Sequence, residues 1–157
     1  MINLISSTLI ERPVKQVFDF MSTPENDFQW QYGTLASARI LEGASKRGTS
    51  FRSIGHLLGR RIQSTFEVTE YEPNRKYGFK SLSGPLRSYT SYTFEVDRGF
   101  TQIDISTQVN AINFFQVNQG VLEKNMKKQL KENLAMLKDL LEAGQTLPVP
   151  EPNSLAR

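Results

Sequence analysis

The chain has 157 residues, 38% of them hydrophobic and 22% charged, which is the composition of one globular domain. It contains no Cys and a single His, His56, which excludes disulfides and thiolate chemistry and leaves little basis for a metal site, while the net charge of +3 does not identify a partner. The N-terminus does not resemble a signal peptide, and no stretch approaches the roughly 20 apolar residues of a membrane span, so we expect a cytoplasmic protein.

The first third of the chain predicts one strand followed by two short helices. Residues 2–10 alternate between apolar and polar side chains, as a strand does. Pro13 can open a helix without losing a hydrogen bond, and four apolar residues then share one face: Val14, Val17, Phe18 and Met21. We expect Thr23 to cap a second short helix, over residues 25–31, which carries Phe28 and Trp30.

The middle of the chain predicts six further strands. Here the apolar period is two, and turn-type residues such as Leu58-Gly59, Pro73-Asn74 and Arg98-Gly99 separate the segments. The predicted strands span 34–42, 48–57, 60–71, 75–82, 87–97 and 101–110. Because the links between them are short, they favour an antiparallel meander.

A long amphipathic helix is predicted over residues 118–143. Its apolar stripe, stepping mostly by three or four, is Val117, Val121, Leu122, Met126, Leu130, Leu134, Leu137 and Leu141. The only large apolar partner for this stripe is the sheet, and a twisted sheet that curls around one helix leaves room for a cavity. Gly144 can end the helix, so we expect one domain over 1–143 and a flexible tail over 144–157.

These elements define an α+β fold, in which a curved antiparallel seven-stranded sheet wraps around a long C-terminal helix and two short helices follow the first strand. Local patterns in this order also resemble a known family: IERPVKQVFDFMSTPENDFQW at 10–30, GRRIQSTFEVTEYEPNRKYGF at 59–79, the hairpin with Tyr92, Phe94 and Thr101, and LKENLAMLKDLLE at 130–142. They resemble the helix-grip fold of the START-like superfamily, which includes birch-pollen-allergen-like proteins and the polyketide cyclase/dehydrase and lipid transport family. Arg12 departs from the small residue common before the proline.

The resemblance implies an apolar ligand cavity between sheet and helix, but it does not imply one chemistry, since the superfamily contains carriers, chaperone-like binders and a minority of cyclases and aromatases. Strand alternation predicts which side chains face the helix. The predicted ligand-binding residues are Trp30, Phe51, Ser53, Phe66, Val68, Phe79, Tyr92, Phe94, Ile105, Thr107, Leu122, Met126 and Leu130. We expect the cavity mouth to lie between Trp30 and the turn at 83–85, and Leu134, Leu137 and Leu141 to anchor the helix.

We therefore expect binding or transport of a small hydrophobic or amphipathic molecule, such as a lipid, an isoprenoid or a polyketide-like compound, without a cofactor or a metal. The alternative is a cyclase, aromatase or dehydratase that uses the same cavity, with Tyr77, Tyr92 and Arg52 as candidate groups. A protein-interaction module without a ligand is a third interpretation. No catalytic residue is identified by the sequence. His56 and the glutamates Glu67, Glu70 and Glu72 are expected on the outer face, unless a bulge turns a glutamate inward.

Four lysines lie three or four residues apart on the predicted long helix: Lys124, Lys127, Lys128 and Lys131. Such a stripe is typical of a solvated helix face, and it can also make transient contact with an anionic membrane. Nucleic acid is not expected as a partner, because no aromatic stacking surface accompanies the lysines. The oligomeric state is left open by the sequence.

Overall fold

The computed structural model describes residues 1–41, 46–110, 114–144 and 146–148. The short elements are helix α1 (Val14–Met21), a 3-10 turn (Pro24–Asn26) and helix α2 (Asp27–Trp30), and the long C-terminal helix is α3 (Gln119–Ala143). The strands are β1 (Ile2–Ile10), β2 (Thr34–Leu41), β3 (Ser50–Leu57), β4 (Arg60–Glu72), β5 (Lys76–Ser83), β6 (Arg87–Asp97) and β7 (Phe100–Asn110). Most of the predicted tail over 144–157 lies outside the described residues.

All seven strands form one antiparallel sheet in the order β1-β7-β6-β5-β4-β3-β2, which confirms the predicted α+β helix-grip architecture. The first strand pairs with the last, with Ile2 opposite Val109 and Ile10 opposite Thr101. Since β1 and β2 lie at opposite edges, the chain between them must cross the whole sheet. Helices α1 and α2 make this crossing, and they therefore cover part of the face that α3 also covers.

A bulge in β4 changes which side chain enters the core. The register of β4 against β5 shifts between Val68 and Glu70, and the aromatic ring of Tyr71 then packs 5.3 Å from that of Phe18. Glu70 stays outside, where it accepts a hydrogen bond from Tyr89 and pairs with Lys76 at 2.7 Å. The bulge thus turns a tyrosine inward and leaves the Glu70 carboxylate on the outer face.

The core consists of two clusters along α3. The larger cluster, here called the main core, contains the aromatic residues of β3–β7 and α1. Three leucines of α3 pack in it, as predicted for the anchoring end of the helix: Leu134, Leu137 and Leu141. Leu122 belongs to a second cluster, with Ile2, Leu4, Leu57, Val109 and Phe114. Leu130 packs against both clusters. The sequence placed Val121 in the buried stripe, but it is 54% exposed, because the stripe drifts around the helix and Leu122 takes the inward position.

The two ends of α3 have distinct caps. At the N-terminus the Asn118 side chain accepts hydrogen bonds from the backbone N–H groups of Gly120 (2.8 Å) and Val121 (3.3 Å). At the C-terminus Gly144 adopts a left-handed φ of 67°, which confirms the predicted stop. The expected cap at Thr23 is wrong: its hydroxyl donates backwards to the carbonyl of Asp19 at 2.8 Å, and the following 3-10 turn has no side-chain cap.

Arg12, the residue that departs from the family pattern, ties the end of α3 to the sheet. Its guanidinium donates to the backbone carbonyl of Glu142, and its own carbonyl accepts from the Thr101 hydroxyl at 2.7 Å. The Glu142 carboxylate accepts from the Glu11 backbone N–H at 3.1 Å and from Lys138 at 2.7 Å. The hydrogen bond from Lys138 lowers the pKa of Glu142. A long side chain at position 12 is therefore accommodated as a clamp on the helix end.

The two clusters lead to a stability prediction. Leu137→Ala should lower the free energy of unfolding by about 2 to 5 kcal/mol, because it opens a cavity in the closely packed main core. Val121→Ala, on the exposed face of the same helix, should change it by less than about 0.5 kcal/mol. Urea denaturation of both variants measures the difference, and equal losses would contradict the assignment of the buried face.

Candidate ligand-binding site

A cavity of about 220 Å³, here called the central cavity, lies between α3, α2 and the inner face of the sheet. Met126 and Leu130 roof it from α3, with Gln129 and Asn133 beside them, and Trp30 and Gln31 close the side formed by α2 and its C-terminal end. The remaining lining residues come from the strands and the turn before β6: Leu4, Phe66, Phe79, Leu86, Ser88, Thr90, Tyr92, Ile105, Thr107 and Val109. The cavity thus occupies the gap between the two core clusters.

Apolar side chains dominate the walls, with a few hydroxyls and amides among them. The hydroxyls of Thr90 and Thr107 are 3.2 Å apart and face each other across β6 and β7. Asn133 accepts a hydrogen bond from the backbone N–H of Tyr32 at 2.9 Å. This bond holds the Asn133 side chain against the segment that follows α2. This combination is typical of sites that bind by shape and orient a ligand through a small number of hydrogen bonds.

The volume of the central cavity is large for an empty space. The cavity is also partly open to solvent, so it is not sealed from water. Water held by the polar groups, or a ligand, is therefore expected to occupy it. A ligand that enters would stabilise the fold in proportion to its affinity.

A second cavity of about 160 Å³, here called the lateral cavity, adjoins the first. The two cavities share the side chains of Gln31, Phe66 and Phe79. Gly33 and Gly55 let the chain after α2 lie directly on β3, where the His56 backbone N–H donates to the Gly33 carbonyl at 2.7 Å. A Cβ at position 55 would overlap that carbonyl oxygen. The close approach of these two backbones forms one wall of the lateral cavity.

Asp27, the first residue of α2, contributes a carboxyl group to the lateral cavity. The residue is only 8% exposed, and no hydrogen bond or ion pair to this carboxyl is found within residues 1–41, 46–110, 114–144 and 146–148. Burial, and to a smaller extent the neighbouring charge of Glu25, raises the pKa of Asp27 well above its ordinary value. Asp27 therefore favours its neutral form.

Two tyrosines lie near this carboxyl. Burial raises the pKa of Tyr92 well above 10, the Asp27 charge raises it further, and a hydrogen bond from Gln31 partly offsets the increase. Burial and the Asp27 charge act in the same direction on the pKa of Tyr77. Gln31 is itself oriented by the Thr34 hydroxyl, which donates to its side-chain oxygen at 2.9 Å. The Tyr92 hydroxyl of the central cavity and the Asp27 carboxyl of the lateral cavity thus lie close enough to interact, whereas Tyr77 lines the separate groove of about 140 Å³.

The structure brings most of the predicted ligand-binding residues to these cavities. The central cavity includes Trp30, Phe66, Phe79, Tyr92, Ile105, Thr107, Met126 and Leu130, and the lateral cavity includes Phe51 and Ser53 together with Phe66 and Phe79. The predicted edge positions Gln129 and Asn133 also line the central cavity. Leu86 and Ser88 follow the turn at 83–85 and form part of the same wall.

Some predicted positions lie elsewhere. Phe94 packs 5.1 Å from the ring of Phe18 in the main core, and Leu122 fills the second cluster. Val68 is buried in the main core and lines a separate groove of about 140 Å³.

Arg52 was a candidate catalytic group, but it is exposed, because it alternates with the inward-facing Phe51 on β3. Phe28 also remains 44% exposed, as only one side of the short α2 faces the core.

The model of one protein family, described as polyketide cyclase/dehydrase and lipid transport, matches residues 1–142. The chain belongs to this family. No curated protein sequence matches the chain significantly.

Solved structures share the fold of this family member at low sequence identity. A START superfamily protein from Mycobacterium smegmatis has a TM-score of 0.80 at 11% identity, with 92% of this chain and 100% of that chain covered. TTHA0849 from Thermus thermophilus has a TM-score of 0.78 at 15% identity, covering 92% and 99%. The di-domain ARO/CYC BexL from the BE-7585A biosynthetic pathway has a TM-score of 0.70 at 16% identity, covering 90% of this chain and 47% of its own.

Sequence reasoning on this family member missed Asp27. An acidic residue in the first turn of a short helix is typical of an ordinary solvated helix start, and nothing local indicates that the residue is covered.

No three His, Asp or Glu side chains in the described ranges are close enough together to hold a metal ion. Likewise, no helix in the described part of the chain is both long and apolar enough to cross a bilayer.

The raised pKa of Asp27 predicts a pH effect on stability. From about pH 4 upward the unfolded chain has released the Asp27 proton while the folded chain still holds it, so stability falls as pH rises. Asp27→Asn removes this contribution. The stability of the variant relative to the parent should therefore rise by about 1.4 kcal/mol for each pH unit between about 4 and the folded-state pKa. Urea denaturation of both proteins from about pH 4 to 8 measures this, and parallel curves would contradict the burial of a neutral carboxyl.

Proposed function

We propose that this protein binds, and carries or presents, a small hydrophobic or amphipathic ligand in the central cavity of its single domain, residues 1–143. One observation supports the proposal above all: the apolar roof of Met126 and Leu130 stands over a mostly apolar sheet surface with space between them. An ordinary core would close this gap, because empty space of this size is costly. The proposed location, the cytoplasm, rests on the sequence alone.

The cavity volume narrows the class of ligand. An apolar cavity of about 150 Å³ accepts benzene, so 220 Å³ corresponds to a molecule somewhat larger than one aromatic ring. The lateral cavity, of about 160 Å³, lies on the other side of Gln31, Phe66 and Phe79. Molecules with one or two fused rings, or a short isoprenoid, fit better than the complete chain of a membrane lipid.

A cyclase, aromatase or dehydratase is the second candidate. The observation that favours it is the presence of neutral polar groups, Tyr92 and Asp27, at the junction of the two cavities. Such groups can polarise a carbonyl of a reactive chain that the cavity holds in a folded conformation. The two functions differ in the mass of what leaves the protein: a binding protein returns its ligand unchanged, whereas cyclisation with dehydration returns a product lighter by one water.

The ligand-binding proposal predicts the effect of a charge in the roof. Met126→Arg should abolish ligand uptake, because it directs a guanidinium into an apolar space. Ala135→Arg places the same charge at an exposed position of α3 and should leave uptake unchanged. Native mass spectrometry of the purified proteins, with thermal shifts across a panel of lipids and aromatic compounds, measures uptake. Repeated recovery of the parent protein with no bound species and no thermal shift would count against the proposal.

We further propose that the lysines of α3 make transient contact with an anionic membrane during loading or release. The helix that roofs the cavity carries four exposed lysines, Lys124, Lys127, Lys128 and Lys131. Two apolar side chains, Phe115 and Val121, are exposed near the N-terminal end of the same helix. Basic side chains are attracted to anionic lipid headgroups, and exposed apolar groups can enter the interface between headgroups and acyl chains.

This contact predicts salt-sensitive vesicle binding. The protein should co-sediment with vesicles of phosphatidylcholine and phosphatidylserine (about 7:3) at low salt and be released at about 0.5 M NaCl. Each Lys→Gln substitution in the stripe should weaken binding about fivefold, since one lysine near the surface contributes about 1 kcal/mol. Lys80→Gln, at a lysine of β5 on the outer face of the sheet, is the matched control. Equal effects of Lys80→Gln and Lys128→Gln would contradict a specific role for α3.

A further inference from the structure

The carboxyl of Asp27, which has no hydrogen-bond partner within the described residues, is one feature of this fold that packing does not explain. A buried acidic side chain normally has a hydrogen-bond partner or a cation, because desolvation without compensation is costly. Asp27 is more than nine-tenths buried, and within the described residues nothing donates to its carboxyl. Its side chain instead lines the lateral cavity, alongside the hydroxyl-bearing residues Ser53 and Ser64. The carboxyl therefore faces a space that a ligand group or water can enter.

The charged and titratable groups around Asp27 keep it from acting as an anion. Glu25, from the preceding 3-10 turn, carries the same charge and disfavours ionisation of Asp27. Tyr77 from β5 and Tyr92 from β6 are uncharged neighbours with raised pKa values. Arg39 from β2 donates its side-chain N–H to Glu25 at 3.2 Å, and its backbone N–H donates to the same carboxylate at 2.8 Å. The nearby cation is thus engaged by Glu25.

We propose that the lateral cavity is a polar subsite in which the Asp27 carboxyl donates a hydrogen bond to a carbonyl oxygen of the bound molecule. The apolar body of that molecule lies in the central cavity, and its carbonyl end passes the shared wall formed by Gln31, Phe66 and Phe79. This inference rests on the proposed ligand-binding function and adds the chemical class of the ligand: a ketone, aldehyde or ester on a ring system or short chain.

The chemistry of the subsite selects a carbonyl over an amine. A protonated amine would need an ionised carboxylate, which burial and Glu25 both oppose. A neutral carboxyl has one O–H donor, and a carbonyl oxygen only accepts. A purely hydrocarbon ligand would leave the carboxyl without a partner and lose that hydrogen bond. The site should therefore discriminate between molecules of one shape that differ only in the presence of a carbonyl oxygen.

A pair of isosteric probes tests this discrimination. 2-Acetylnaphthalene carries a C=O group where 2-isopropenylnaphthalene carries C=CH₂, so the two molecules have nearly the same shape. We expect the protein to bind the ketone about five- to tenfold more tightly, as one net hydrogen bond allows. Protein-observed NMR titration at an acidic pH near the ordinary carboxyl pKa of about 4, where the raised pKa favours the neutral form of Asp27, gives both dissociation constants. Asp27→Leu should abolish the preference, whereas Asp27→Asn, whose amide still donates, should keep it.

The pH dependence of binding provides a second test, for which the parent protein is sufficient and Asp27→Asn is the control. As pH rises through the raised pKa of Asp27, the parent protein should lose its preference for the ketone, while Asp27→Asn should keep it because an amide does not titrate. Equal binding of the two probes by the parent protein at the acidic pH, or an undiminished preference in a folded Asp27→Leu variant, would overturn this inference alone. If neither probe binds, and no compound in the panel of lipids and aromatic compounds gives a thermal shift, both the ligand-binding function and this inference are overturned.

Discussion

One helix has to cover most of the apolar face of a seven-stranded sheet, and the rest of the structure depends on this constraint. The leucines near the C-terminal end of α3 pack tightly against the main core, and Leu122 near its N-terminal end packs into a second cluster. Between these two points α3 and the sheet are not in complete contact. Met126 and Leu130 are only partly buried against these clusters, and the central cavity occupies the space beside them.

Both ends of α3 are attached to the rest of the fold, by Leu122 in the second cluster and by Arg12 at Glu142. Asn118 and Gly144 set the helix ends, while Arg12, Glu142 and Lys138 hold the C-terminal end to the chain that leaves β1. A helix held at one end could tilt and collapse onto the sheet. Fixed at two ends, it leaves the void to water or ligand, so part of the free energy of ligand binding appears as stability of the fold.

The connection from β1 to β2 supplies the polar part of the site. This segment must travel from one edge of the sheet to the other, and in doing so it places α2 against the open side of the cavities. Asp27, Trp30 and Gln31 come from this one short helix and its C-terminal end. The fold alone requires only that this segment cross the sheet, and a solvent-exposed segment would do so. The burial of an unpartnered carboxyl on it is a cost to stability that a role in ligand recognition would explain.

The strands, the long helix, its stop at Gly144 and most of the central cavity lining could be predicted from the sequence, because periods of two and of three or four are local properties of the chain. Ile105, Thr107, Met126 and Leu130 could be assigned to the cavity for this reason. Only the tertiary structure shows that Val121 is exposed and that Asp27 is buried. It also shows that Leu122 and Phe94 pack in the core and do not line the cavity. Each depends on how far the sheet curls and on which distant segment lies above a residue. That distance is set by the packing of all elements together, and no local pattern encodes it.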